Sequence, residues 1–266
     1  MKQNTFLKIF FGLLVFTMVS YSIAGYSIRR AKIENPGVVS TVAKHYNMQY
    51  QDDGNNISFT TLNDQGNYVK SQKTWDLDGA QTKIKIATKS ADVFIEKSPD
   101  EKFHFIAEGM LRSENSPPDL FEMKVEKNEV EIKETRTKET KLHIQVPKSA
   151  QEFSFKSVSG NLEAHQIAGK EFEVATVSGD AHLAEISVKE LGIVTVSGDL
   201  QITSKIPSDI QIGSTSGNVK IQTAEAAQTD IKLKTVSGQI TNPFKTSSKS
   251  NRKIEVTTVS GAIEIL

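Results

Sequence analysis

The chain has 266 residues, with 32 basic and 32 acidic side chains and a formal net charge of zero at pH 7. This balanced charge, with no basic stripe beside aromatic residues, argues against nucleic acid as a partner. The sequence contains no cysteine, which excludes disulfides, a lipoprotein anchor and catalysis by a thiol.

Residues 1–30 form a hydrophobic segment. The run Ile9–Gly25 is almost wholly apolar. Residues 6–28 are long enough to cross a bilayer as a helix, and Ala24 ends a stretch of small residues that suits a signal peptidase. We therefore predict a hydrophobic helix that is either a cleaved signal peptide or a single-pass membrane anchor. Both alternatives place residues 31–266 in the extracytoplasmic part of the cell envelope or export them.

The next segment, residues 31–72, is polar and contains residues that interrupt regular structure. Asn35-Pro36-Gly37 and the polar run from Asp52 to Asn56 are typical turn sequences. We predict a polar linker here, followed by one β-rich domain over residues 73–266. A domain of about 190 residues is long enough to bury a substantial core.

Residues 151–266 contain an internal repeat. The dipeptide Ser-Gly occurs six times there, with spacings of 19, 19, 19, 21 and 23 residues between the serines Ser159, Ser178, Ser197, Ser216, Ser237 and Ser260. A regular period of about 19 residues indicates stacked units, each of which contacts only its neighbours. We predict an all-β fold, a β-solenoid in which each unit is a strand, a corner at Ser-Gly and a second strand.

Apolar and polar residues alternate on both sides of each corner. Phe153 and Phe172 begin such a column before the corner, and Leu162 and Ala181 begin one after it. This period of two is typical of a strand with one face in a core. A single unit cannot bury that face, so the units have to stack.

Residues 73–150 are predicted to form irregular first coils of the solenoid. Residues 84–95 match the repeat, with Ala91 in place of the glycine. Val125 and Val130 bracket a four-residue turn, which predicts a hairpin. Because terminal repeats are usually atypical, we expect this part to cap the array.

The glycine of each corner has a structural explanation. A turn between strands commonly requires a positive φ, which glycine adopts without steric cost; this role is assigned to Gly160, Gly179, Gly198, Gly217, Gly238 and Gly261. In the alternative, Asp180 and Asp199, on neighbouring units about 4.8 Å apart, bind calcium or cleave a polysaccharide. The flanking Asn161 and Asn218 add few oxygen ligands to such a calcium site.

Two features near the C-terminus are candidate interaction surfaces. The stretch after Asn242 is an insertion rich in Ser, Thr and Lys, and insertions at one corner of a solenoid often carry binding faces. Lys245, Lys249 and Lys253 form a candidate binding corner, with a solvated spacer as the alternative. The last strand ends at Leu266, which predicts an open C-terminal edge through which the protein self-associates.

The sequence lacks the arrangement of a catalytic site. It contains no Gly-x-Ser-x-Gly motif, phosphate-binding loop or His-Glu-x-x-His motif. The outward residues that follow four of the corners are chemically mixed and form no carboxylate cluster: Glu163, His182, Gln201 and Lys220. We expect no enzymatic activity, no catalytic or metal-binding residues and no cofactor.

The chain resembles a known family. Its hydrophobic N-terminal segment, the strand that ends in Val146-Pro147 and the repeated Thr-Val-Ser-Gly-Asp-Leu units resemble the bacterial putative-adhesin domains of unknown function, which include envelope-stress accessory proteins of the LiaG type. The resemblance covers about residues 73–266. It implies a β-solenoid exposed outside the cytoplasmic membrane, and it supplies no catalytic or ligand-binding residues that map onto this chain.

Three functions fit these observations. The first is an extracytoplasmic binding or adhesion module, membrane-anchored or secreted, that recognises a glycan or an envelope protein. The second is an envelope scaffold that assembles through its ends. The third, suggested by the resemblance alone, is an accessory to a membrane stress sensor; an enzyme that acts on polysaccharides is a minor alternative.

Overall fold

The computed structural model describes residues 48–52, 57–61, 68–112, 119–135, 137–223, 226–245, 250 and 252–266. The hydrophobic helix predicted over residues 1–30 lies outside them. Within the described residues, no helix has the length and apolar character needed to span a bilayer. The chain divides into two compact units, Met1–Asn67 and Tyr68–Leu266.

Among the residues described in the first unit, one pair of strands is present. Met48–Asp52 (β1) pairs antiparallel with Ile57–Thr61 (β2), so that Met48 lies opposite Thr61. This pair falls within residues 31–72, which the sequence predicts as a polar linker.

In its described residues, the second unit is all-β apart from a 3-10 turn at Ala226–Gln228. Its first seven strands are Tyr68–Asp78 (β3), Lys83–Ala87 (β4), Asp92–Lys97 (β5), Lys102–Arg112 (β6), Phe121–Val125 (β7), Glu129–Glu134 (β8) and Thr137–Val146 (β9). The others are Glu152–Ser157 (β10), Leu162–His165 (β11), Ala168–Thr176 (β12), Ala181–Ser197 (β13), Leu200–Ser204 (β14), Asp209–Ser216 (β15), Val219–Thr223 (β16), Asp230–Ser237 (β17), Ile240–Thr241 (β18), Lys253–Ser260 (β19) and Ile263–Ile265 (β20).

These strands form two ladders that share β13. The first ladder runs in the order β7-β8-β4-β10-β12-β13-β15-β19-β17, and the second runs in the order β3-β6-β9-β5-β11-β13-β14-β16-β20-β18. All pairs between repeat strands are parallel, and their registers match apolar residue to apolar residue, as with Phe153 and Phe172. One strand from each ladder and the corner between them form a rung. The all-β architecture with stacked rungs confirms the predicted fold class for the described residues.

The core lies between the two ladders. Phe155, Val174 and Ile193 of the first ladder, and Leu162 and Leu183 of the second, are buried. Burying a side chain of this size contributes roughly 1.5–3 kcal/mol to stability. The alternation in the sequence therefore identifies the inward columns correctly.

The order of the rungs in space differs from their order in the chain at the N-terminal end of the array. Val93 of β5 lies between Leu162 of β11 and Leu142 of β9. The rung β8/β9 therefore lies outside the earlier rung β4/β5. The predicted hairpin is confirmed, because Val125 of β7 pairs with Val130 of β8.

At the C-terminal end, the order of the rungs in space also differs from their order in the chain. β20 pairs with β16 on one side and with β18 on the other, and Ile263 and Ile265 are fully buried. The last rung of the chain, β19/β20, therefore lies inside the array. The prediction of an open edge at Leu266 is wrong, because the preceding rung β17/β18 passes outside it and forms the end of both ladders in the described residues.

Candidate binding surfaces

The corner glycines stack on one another. A Cβ atom on Gly160 would lie 1.9 Å from the carbonyl oxygen of Ala91, and one on Gly198 would lie 2.3 Å from that of Gly179. Real side chains do not approach a backbone oxygen so closely, so only glycine fits. Only Gly217 and Gly261, with φ of 149° and 145°, have a positive φ among the described glycines. The predicted reason for glycine is therefore wrong at the other four corners, where close contact between rungs demands it.

The Asn and Asp residues that follow the corner glycines form a column of side-chain hydrogen bonds between rungs. The side-chain Oδ1 of Asn161 accepts a hydrogen bond from the backbone N–H of Asp180 at 3.0 Å, and Asp180 Oδ1 accepts one from Asp199 at 2.8 Å. Asp199 Oδ1 accepts one from Asn218 at 2.7 Å. These oxygens hold neighbouring rungs in register. Within the described residues, no three His, Cys, Asp or Glu side chains are arranged to hold a metal ion.

The valines that precede the Ser-Gly corners point outward. Val158 is 54% exposed and Val236 is 83% exposed, and Val177 and Val259 lie between them in the array with smaller exposed fractions. The backbone N–H of Ser178 donates to the carbonyl oxygen of Val158, which ties this column to the corners. The result is a narrow apolar ridge parallel to the axis of the solenoid, interrupted by Thr215.

The structure separates the lysines of the predicted binding corner. Lys245 is exposed, and Lys249 lies outside the described residues. Lys253 begins β19, where its Nζ donates to Glu255 at 2.6 Å and its backbone N–H donates to Asp209 at 2.9 Å. Lys253 therefore helps to join two rungs, and its charge is already paired.

The outward histidines lie on the second ladder. His165 and His182 meet edge to face with ring centroids 5.8 Å apart, and His143 stacks on Phe94 at 4.5 Å. The structure thus brings together side chains that are far apart in the sequence. The surface remains chemically mixed, since the exposed Glu163 lies beside His182 in register.

A groove of about 440 Å³ lies where the chain leaves the strands of the second ladder, on a side that we call the third side of the solenoid. Its apolar lining consists mainly of Val146, Pro147, Ile167 and Ala168. Ile167 lies between β11 and β12 and is buried. The lining residues lie in or next to five consecutive strands of the second ladder: β9, β5, β11, β13 and β14. The four steps between these strands, at about 4.8 Å each, give the groove a length of about 19 Å.

Three lysines line this groove. Lys97 and Lys148 belong to its β5 and β9 end, and Lys205 belongs to its β14 end. Lys205 Nζ donates to Glu185 at 2.7 Å, whereas Lys97 and Lys148 have no acidic partner within the described part of the chain. Sequence reasoning missed this set because its members follow three different strands and share no motif.

The local backbone places the polar side chains of the groove. Gln166 and Glu185 have φ of 55° and 57°, so both bend the chain in the left-handed region at the same point of successive rungs. Gln166 Nε2 donates to Glu185 at 2.9 Å. The hydrogen bond from Lys205, followed by that from Gln166, lowers the pKa of Glu185. Glu185 therefore stays ionised, and it neutralises one of the three lysines.

Several solved structures are similar to this chain at low sequence identity. A putative cell adhesion protein from Clostridium sporogenes is 16% identical with a TM-score of 0.46, and the match covers 74% of this chain and 99% of that one. A putative adhesin from Bacteroides fragilis is 17% identical with a TM-score of 0.45, over 74% of this chain and 97% of that one. Among curated proteins, none matches this chain significantly.

A protein family also matches most of the chain. The Toastrack DUF4097 family matches residues 81–266, from just before β4 to the end. This range contains every strand of the second unit except β3. The match confirms the resemblance to bacterial putative-adhesin domains of unknown function. The chain belongs to the Toastrack DUF4097 family.

Proposed function

We propose that this protein is a non-enzymatic binding module outside the cytoplasm, anchored by residues 6–28 or exported, that holds a linear anionic polymer of the cell envelope. The binding site is the groove on the third side of the solenoid. The polymer is a glycan that carries carboxylate or phosphate groups, and the solenoid acts as a rigid support for it.

The observation that carries this proposal is the shape and charge of the groove. Its length of about 19 Å suits several units of an extended chain. Lys97 and Lys148 supply positive charge at one end, beside an apolar floor that contains Pro147 and Ile167, whereas Lys205 at the other end is already paired with Glu185. Lysines on separate strands favour a ligand with repeated anionic groups, because Lys97 and Lys148 can then each pair with a different group.

The arrangement of the acidic side chains supports binding without catalysis. The Oδ1 atoms of Asp180 and Asp199 each accept a backbone hydrogen bond from the next rung. Two carboxylates that act together on a polysaccharide need to face the scissile bond as acid and as base or nucleophile. Here the two side chains join rungs of the solenoid.

The scaffold alternative in its predicted form relied on an open C-terminal edge at Leu266. The last strand, β20, lies between β16 and β18, so this edge is not open for assembly. The third function, an accessory to a membrane stress sensor, is compatible with this proposal, because the same binding module could act beside such a sensor.

Titration calorimetry with a galacturonate hexamer tests the proposal. We expect the full-length wild-type chain to bind the hexamer, and we expect binding to weaken at high salt because the exposed charges are screened. The double variant Lys97→Glu/Lys148→Glu should bind at least tenfold more weakly. A matched variant, Lys141→Glu/Lys189→Glu, changes two exposed lysines outside the groove lining and should bind like the wild type.

Two results would contradict this assignment. In the first, neither the galacturonate hexamer nor a phosphate-linked polyol of similar length binds the folded wild-type chain. In the second, the groove variant and the matched variant lose binding equally, which would indicate a diffuse effect of charge.

Location is tested with a unique thiol. Because the chain has no cysteine, a Lys156→Cys variant carries a single reactive group at an exposed position. We expect a membrane-impermeant maleimide to label this variant in intact spheroplasts. Labelling only after lysis would refute the extracytoplasmic location.

A further inference from the structure

The two ladders have different lengths at the N-terminal end of the array. Beyond the rung β8/β9, the second ladder continues with two strands, β6 and then β3, whereas the first ladder continues only with β7. The inward face of β3 therefore has no strand of the first ladder opposite it among the described residues. This difference leaves a position for one more strand beside β7.

The burial of apolar side chains follows this difference in length. Phe103 and Phe105 of β6 are fully buried. Leu77 and Trp75, which lie opposite them on β3, are only partly buried. Trp75 leans toward the first ladder, where its Nε1 donates to the sulfur of Met123 at 2.9 Å. A strand added beside β7 would cover the exposed parts of these side chains.

The outer edge of β7 has backbone groups that point away from β8. Glu126 and Glu129 exchange both of their backbone hydrogen bonds at the hairpin turn. Because such pairs alternate along an antiparallel ladder, the N–H and C=O groups of Phe121, Met123 and Val125 point to the outer side. Within the described part of the chain, no strand pairs with this side. Met123 and Val125 are 36% and 42% exposed, and an open edge of this kind accepts another strand.

The outward face of β7 defines the charges of the added strand. Lys124 of β7 lies opposite Glu131 of β8, and Glu122 lies opposite Lys133, so the charge changes sign from strand to strand. Lys124 also contacts Glu126 at 2.6 Å, but its side chain is 68% exposed and can bind a second carboxylate. The pattern continues if an acidic residue lies opposite Lys124 and a basic residue opposite Glu122, because such cross-strand pairs stabilise a sheet.

A second copy of the chain does not fit this position. An antiparallel pair of two β7 strands would match Glu122 with Lys124 of the other copy, but it would bring the other copy's β6 to the place that β3 occupies. Placing β17 of a second copy beside β7 would likewise bring its β18 to that place, because β17 and β18 form one rung. The position therefore accepts a single strand without a second strand level with it.

We propose that β7 binds an extended segment of a partner protein, which runs antiparallel to β7 and adds one strand to the first ladder. The segment carries an acidic residue opposite Lys124, a basic residue opposite Glu122 and apolar residues that cover Met123, Trp75 and Leu77. The antiparallel direction continues that of the pairs β3–β6, β6–β9 and β7–β8 at this end. Addition of a strand to an exposed sheet edge is an established mode of peptide recognition. This surface is separate from the groove, and neither proposal depends on the other.

The test uses the fluorescent heptapeptide Thr-Val-Glu-Val-Lys-Val-Thr and measures anisotropy with the full-length chain. We expect saturable binding, at least tenfold tighter than that of Thr-Val-Lys-Val-Glu-Val-Thr, in which the two charges are exchanged. The variant Glu122→Lys/Lys124→Glu keeps the net charge and should reverse this preference. The matched variant Lys156→Glu/Glu173→Lys exchanges two exposed charges on β10 and β12 and should keep the preference of the wild type.

Backbone pairing is tested with N-methylated peptides. Methylation of the valine amides should abolish binding, whereas methylation of the Glu and Lys amides should not, because only the valine N–H groups face β7 in this register. Equal loss with both methylated peptides, or no binding of the unmodified peptide to the folded wild-type chain, would overturn the proposal. Sedimentation of the wild-type chain as a dimer that the peptide dissociates would also overturn it and would identify a second copy as the occupant.

Discussion

A Cβ atom on Gly179 would lie 2.1 Å from the carbonyl oxygen of Gly160, its counterpart on the neighbouring rung. Both residues are buried in the column of corners. We expect Gly179→Ala to lower the free energy of unfolding by roughly 3 kcal/mol, the upper part of the range for overpacked sites, because a rigid backbone atom has to move.

Gly192 provides the control for this prediction. It lies in β13, and a Cβ atom there has no neighbour within 4 Å. Gly192→Ala should therefore raise the free energy of unfolding by about 0.4–1 kcal/mol, because it reduces the freedom of the unfolded chain. Urea denaturation measures both variants, and equal effects would refute the column as the source of the glycine requirement.

Glu134 closes the N-terminal end of the corner column. Its Oε2 accepts hydrogen bonds from the backbone N–H groups of Lys89, Ser90 and Ala91 at 2.5, 2.9 and 3.2 Å. We expect Glu134→Ala to cost roughly 3 kcal/mol of stability, because it leaves several backbone donors without this carboxylate. Hydrogen exchange should accelerate most at residues 89–91.

The matched change for Glu134 is Glu131→Ala. Glu131 forms a surface ion pair with Lys133 at 2.9 Å, and such pairs contribute about 0–1 kcal/mol. Similar losses of stability in the two variants, or unchanged exchange at residues 89–91 in Glu134→Ala, would contradict the capping role.

The exchanged order of the last two rungs is tested by lysine substitutions. Ile263 is fully buried, whereas Val236 is 83% exposed. Ile263→Lys should unfold the C-terminal rungs or cost at least about 4 kcal/mol, because it places an unpaired charge in the core. Val236→Lys should change stability by no more than about 0.5 kcal/mol. A stable Ile263→Lys variant would show that β20 is an edge after all.

His104 gives stability a specific pH dependence. Its Nδ1 lies 2.8 Å from Asp76 and its Nε2 lies 3.0 Å from Asp100, and these two hydrogen bonds raise its pKa. A raised pKa in the folded state contributes stability that is complete below the unfolded value of about 6.5. This contribution is lost as the pH rises through the folded pKa.

Denaturation of His104→Gln between pH 5 and 9 tests this dependence. The variant should lose most stability relative to the wild type at pH 5 and less at pH 9. His143→Gln is the comparison, because His143 stacks on Phe94 and has no carboxylate hydrogen bond among the described residues. A difference between His104→Gln and wild type that is constant with pH would contradict the assignment.

The sequence by itself determined the local structure of each repeat. The alternation around Phe153 and Leu162 identifies the inward faces, because successive side chains of a strand point to opposite sides. The Ser-Gly period identifies the corners and predicts parallel stacking, because one such unit cannot bury its apolar face alone. The candidate lysine corner was less predictable: Lys253 proved to be paired with Glu255.

Only the tertiary structure decided which rung neighbours which. The core columns of β17 and β19 are chemically alike, with Ile231 equivalent to Ile254 and Leu233 to Val256, so either rung satisfies the pattern at the position next to β15. In the folded chain, β19 takes this position, which places β20 inside and β17 at the end. The same global arrangement assembles the groove from Lys97, Lys148 and Lys205. A repeat defines contacts between equivalent positions, whereas edges and grooves depend on the order in which the rungs stack.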